Sequence, residues 1–103
     1  MSIEKSLQKL LSRKIELENI LSSGNLSSDN VINFSTELSE ITPVAEQANL
    51  VSNLKESLND IQVIIDDEKN EKDFVDLAKD ELEEINKTLD KETKKLKLLL
   101  IPK

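Results

Sequence analysis

DEKNEKDFVDLAKDELEEINKTLDKETKKLKLLLIPK, residues 67–103, is the stretch whose reading decides the fold. Its large apolar side chains fall at Phe74, Leu77, Leu82, Ile85, Leu89, Leu96 and Leu99, in steps of three, four, five or seven that keep to one face of a helix. Such a stripe requires a partner surface, which the upstream chain is expected to supply. Acidic residues crowd the first turns and Lys87, Lys91, Lys94, Lys95 and Lys97 the later ones, so both ends suit the helix dipole. Pairing of Asp76 with Lys79, and of Glu83 or Glu84 with Lys87, would add about 0.2–0.5 kcal/mol each. Asp66 or Asp67 is read as the N-cap, Pro102 as the stop, and the helix as running over about 68–101. The last turns, LKLLLI, are more apolar than a solvated end requires. They are expected to pack on the first helix or on structure beyond residue 103.

Working outward, Ser2 can cap a first helix in which Ile3, Leu7, Leu10, Leu11, Ile15, Leu17, Ile20 and Leu21 recur at helical spacing, giving about 3–23. Gly24 then stands where a left-handed C-terminal cap falls. Ser27 or Ser28 caps the second helix, about 29–66, whose stripe is Val31, Phe34, Leu38, Ile41, Ala45, Ala48, Val51, Leu54, Leu58, Ile61 and Ile65. Pro43 lies inside it and cannot donate to the carbonyl of Ser39. The stripe keeps phase from Ile41 to Ala45, which favours one kinked helix over two helices with Thr42 as a cap. Ala45 and Ala48 are small enough for a neighbouring backbone to come close. The fold expected is all-α, a single domain over 1–103. It is a three-helix antiparallel bundle in which the second and third helices form a long hairpin, with the turn near 66–69 as an exposed tip.

Composition limits function from the other side. The chain has no Cys and no His, which removes disulfides, thiol nucleophiles, imidazole bases and most structural zinc sites. Acidic residues are plentiful, but no Asp-x-Asp-x-Asp-Gly loop is present to hold calcium, and the lone Gly24 rules out a phosphate-cradling loop. Ser22, Ser23, Ser27 and Ser28 have no His or Cys partner and no Gly-x-Ser-x-Gly context. A slim helical hairpin offers no cleft to drive paired carboxylates such as Asp66-Asp67 or Glu83-Glu84 apart in pKa. No catalysis and no cofactor are expected. No apolar run reaches the roughly 20 residues of a membrane span, and the start lacks a signal-peptide core, so the expected compartment is the cytoplasm.

Charge is uneven. Fourteen Lys and Arg against 21 Asp and Glu give −7 overall, and residues 56–92 alone hold 14 acidic and 5 basic side chains, which leaves +2 for the rest. Contact with a polyanion would therefore use the ends of the sequence. On the first helix Lys5, Lys9 and Arg13 stand four apart, opposite the apolar face, with Lys14 beside them. This ridge is read either as a solvated face or as a contact for a phosphate backbone.

Three stretches carry a family resemblance. SSDNVINFSTELSEITPVAEQ at 27–47 is similar to a family segment with an aromatic, an acidic-hydrophobic pair, Pro-Val and Glu-Ala. DIQVIIDDEKNEKDFVDLAKDELEEI at 60–85 resembles its acidic turn and acid-rich helix. LKLLLIPK at 96–103 resembles its Leu-Leu-Leu-Pro-Lys junction, with Ile101 inserted or substituted here. Asn49 and Leu50 replace aromatics that are common in the family. Together these resemble the N-terminal domain of class I bacterial peptide chain release factors, the junction being closer to the type that responds to UAA and UAG.

The resemblance implies an N-terminal lobe that contacts the large-subunit stalk base of the ribosome, protein and rRNA, during translation termination. It also implies that the codon-reading element and the Gly-Gly-Gln tripeptide belong to domains beyond Lys103, making this chain a fragment or truncation. Lys5, Lys9 and Arg13 are then expected to touch ribosomal RNA. A fragment would be expected to pair with its own copy in a crystal through its apolar end. The rival expectation is a coiled-coil adaptor that binds another helical protein through LKLLLI.

Overall fold

The computed structural model describes residues 3–101, and three helices account for most of them: α1 (Ile3–Ser22), α2 (Ser28–Asp66) and α3 (Lys72–Leu99). The all-α hairpin with a shorter first helix is as expected. Two expected features, the Ser2 cap and the stop at Pro102, lie outside the described residues. The molecule is a rod of 63 × 28 × 19 Å.

α2, and not the third helix, is the element on which the others are assembled, because both α1 and α3 pack against it. Val44 and Ala45 are both buried although successive helical side chains point about 100° apart. Val44 belongs to the cluster with Leu96 of α3, while Ala45 borders the groove that α1 forms with Leu11 and Ile15. The core sits where the three helices overlap. Val44, Ala48 and Val51 of α2 meet Leu96 of α3, and Leu7, Leu10, Leu89 and Leu100 close around them. Arg13 pairs with Glu37 and Gln47 with Glu92, so α1 follows the first half of α2 and α3 the second. Both ends of the rod are therefore two helices thick, the hairpin tip at one and the loop between α1 and α2 at the other.

The loop between α1 and α2 follows its local chemistry. Gly24 has φ +75°, the left-handed conformation that ends a helix at little cost only for a residue without Cβ. Ser27 is the N-cap of α2, and its hydroxyl accepts from the Asn30 N–H at 3.3 Å.

α2 runs unbroken through Pro43. Thr42 stays helical, its hydroxyl donating to the Leu38 carbonyl at 2.8 Å, so the alternative of two helices with Thr42 as a cap does not occur.

The start of α3 differs from expectation. Asp67 is the C-cap of α2 rather than the N-cap of α3, and its carboxylate accepts from the Lys69 N–H at 3.0 Å. Asn70 completes the turn, its Nδ2 donating to the Ile64 carbonyl at 2.9 Å and its N–H to the Asp67 carbonyl at 3.2 Å. An Asp that satisfies its own turn is no longer available to cap. α3 accordingly begins at Lys72, four residues late, with Glu71 in the N-cap position and no side-chain cap.

The seam of α3 also differs. Val75, Ala78, Leu82, Ile85, Leu89, Leu96 and Leu100 are buried or half-buried, whereas Phe74, Leu77 and Leu99 are exposed. From Val75 the steps are three, four, three and four, the 3.5-residue period of helices that wrap on one another. The set based on Phe74 needed a step of five between Leu77 and Leu82. Side-chain direction along the heptad decided the seam, and size did not.

Candidate docking surfaces

The basic ridge of α1 is divided by the fold. Lys5 and Lys9 are exposed, but Arg13 is half-buried and turned toward α2. Residues four apart on a helix advance 40° around it at each step, so the column from Lys5 to Arg13 winds from solvent into the seam. Leu10, Arg13 and Leu17 stand three and four apart on the face that carries the fully buried Leu17. Arg13 therefore does not lie opposite the apolar face. Its Nε donates to Glu37 Oε2 at 2.6 Å, its Nη2 to Glu37 Oε1 at 2.9 Å and its Nη1 to Glu16 Oε1 at 2.7 Å. The guanidinium also lies 5.9 Å from the ring centroid of Phe34. Hydrogen bonding to Arg13 holds the Glu37 carboxyl below its usual range against a partial desolvation. Lys14, beside the ridge, pairs with Glu18 at 3.1 Å.

A second polar contact, absent from the sequence reading, joins α2 to α3. Gln47 Nε2 donates to the Glu92 backbone carbonyl at 2.9 Å and to its carboxylate at 2.7 Å. That bond from Gln47, helped by the charge of Lys95, keeps the Glu92 carboxyl below its usual range. The signal was present: Leu89 to Leu96 is a step of seven, and Glu92 occupies the seam position between them.

Of the acid–base pairs expected along α3, Glu83–Lys87 forms at 3.7 Å. Asp90–Lys94 at 3.1 Å and Glu92–Lys95 at 3.5 Å were not foreseen.

Of the large apolar side chains left exposed among the described residues, two groups lie on α3. Phe74 and Leu77 are adjacent on α3 near the hairpin tip, 50% and 68% exposed. At the other end of α3, Leu96 and Leu100 join the core as LKLLLI predicted, but Leu98, Leu99 and Ile101 stay in solvent. A cleft of about 380 Å³ at the three-helix junction has Leu7, Val51 and Leu96 in its wall and Lys55 and Lys97 beside them. Among the described residues no group of three acidic side chains is placed to hold a metal ion, and no helix is long and apolar enough to cross a membrane. What these surfaces offer is contact along a rod, with exposed cations beside the three-helix junction and carboxylates toward the hairpin tip.

The chain is 40% identical over its whole length to "Peptide chain release factor 1" of Wolbachia pipientis subsp. Culex pipiens, and 34% identical over its whole length to the protein of that name in Ehrlichia canis. It is 35% identical to the one in Sulfurovum over 97% of the chain. It spans 29%, 29% and 28% of those relatives, respectively. No solved structure matches it. The PCRF domain family matches residues 10–103, nearly all of this three-helix rod, and the chain belongs to that family.

Proposed function

We propose that this chain is the N-terminal docking domain of a peptide chain release factor, that it acts in the cytoplasm in translation termination at UAA and UAG, and that it performs no chemistry itself. The observation that carries the reading is similarity over the full 103 residues to proteins named Peptide chain release factor 1. The slim rod agrees with it, since long helical faces suit contact with a large assembly better than they enclose a substrate. The partners are the large ribosomal subunit at its stalk base and the remaining release factor domains. Lys5 and Lys9 supply a weak electrostatic contact to ribosomal RNA, and Arg13, held by Glu37, sets the position of the helix that carries them.

Co-sedimentation of the purified chain with ribosomal large subunits tests the reading. Binding that weakens with salt is expected, and Lys5→Glu with Lys9→Glu should lower both the affinity and its salt dependence. Unchanged values would remove the ridge from the account. The codon assignment is checked by peptide release from ribosomes programmed with UAA, UAG or UGA, using a longer natural chain that contains this domain. Release at UGA would refute it. A second reading is favoured by the exposure of Leu98, Leu99 and Ile101, namely an adaptor that binds another helical protein through that end. Loss of ribosome binding on Leu98→Ser would not separate the two readings. Release activity of the longer chain would.

A further inference from the structure

At the start of α3 the seam against α2 is filled by Val75 and Ala78, while the larger Phe74 and Leu77, each one residue earlier, face solvent. Phe74 is one of two aromatic residues in the chain. Leaving it and Leu77 half or more exposed forgoes burial that the fold could use, and adjacent large apolar side chains in solvent mark a contact surface. This stretch belongs to the two-helix end of the rod, beyond the reach of α1. Its surroundings are acidic, with 12 carboxylates against 3 lysines in residues 56–84.

We propose that Phe74 and Leu77 are the apolar anchor of a docking patch for a basic protein surface, the carboxylates around them supplying the complementary charge. The inference rests on the ribosome-docking reading and assigns the protein part of that contact to the hairpin tip. Charge selects the occupant. Nucleic acid and an anionic membrane carry the same sign as the patch, and so does a second copy of this chain, so each would be repelled at short range. A cationic protein surface that presents one apolar pocket meets both the carboxylates and the ring, and an aromatic side chain in such a pocket is the usual centre of a protein contact.

Two measurements on the 103-residue chain with purified bacterial ribosomes test this. Phe74→Ser combined with Leu77→Ser should weaken co-sedimentation by roughly tenfold or more while helicity by circular dichroism is unchanged, both side chains being outside the core. A photoreactive benzoylphenylalanine in place of Leu77 should give an adduct that protease removes and ribonuclease does not. An adduct on ribosomal RNA, or affinity unaltered by the double substitution while the unsubstituted chain still sediments, overturns the patch alone. If the unsubstituted chain does not sediment, the docking reading falls and takes this inference with it.

Discussion

Gln47 on α2 gives both of its amide hydrogens to one residue of α3, reaching the backbone carbonyl of Glu92 at 2.9 Å and its carboxylate at 2.7 Å. The pair sits between the apolar layers of Leu89 and Leu96, where a hydrocarbon side chain would pack as well in several registers. A polar pair in a helical seam is satisfied in one register only.

Glu92→Leu should therefore leave the chain folded, with an apolar side chain in place of a polar one, but reduce the uniqueness of the α2–α3 pairing. Broader amide resonances in the NMR spectrum around residues 44–51 are the expected sign. Gln47→Ala removes the donor and leaves the Glu92 carboxylate half-buried without it, so a lower melting temperature is expected. Spectra of Glu92→Leu as sharp as those of the parent would show that apolar packing alone sets the register.

Acid should weaken the two cross-helix contacts together. The carboxyls of Glu37 and Glu92 are both held below the usual range, by hydrogen bonds from Arg13 and Gln47 respectively. A folded-state pKa below the unfolded one contributes stability that is full above the ordinary glutamate value of about 4.3 and is lost as pH falls through the folded value. The parent should exceed Glu37→Gln and Glu92→Gln in urea midpoint at pH 7, and the differences should close below about pH 4. A gap that stays constant down to pH 3 would mean that neither carboxylate contributes through its charge.

Two leucines with the same side chain have opposite fates. Leu17 is 0% exposed on α1, and Leu77 is 68% exposed on α3. Leu17→Ala should cost about 2–5 kcal/mol in urea unfolding, through lost burial and the cavity left beneath α1. Leu77→Ala should stay within about 0.5 kcal/mol of the parent. Equal costs would mean that the exposed face of α3 contributes to folding.

The turn after α1 depends on backbone conformation alone. A Cβ added at Gly24 would meet nothing within 4 Å, so the φ of +75° is the whole obstacle to substitution. Gly24→Ala should cost about 1–2 kcal/mol, and Gly24→Asn less, as measured by thermal unfolding. Equal stability of Gly24→Ala and the parent would show that the loop can relax to negative φ.

Read by itself, the sequence determined three helices, their order, the antiparallel hairpin and the Gly24 turn, and narrowed the cap of α2 to Ser27 or Ser28, because periodicity, propensity and cap chemistry act within a few residues of each other. It did not determine which flank of a stripe turns inward. Phe74 with Leu77 and Val75 with Ala78 are rival faces about 100° apart, and only the heptad seam against α2 chooses between them. Nor could it place Arg13, which reads as one of a column of cations until α1 is laid on α2 and Glu37 comes within 2.6 Å across 24 residues. Asp67 was equally open, since a short carboxylate satisfies a turn as readily as it caps a helix. Contacts between residues distant in the chain settled the seam and Arg13, because the competing local arrangements differ too little in energy to decide alone, whereas the turn's own hydrogen bonds settled Asp67.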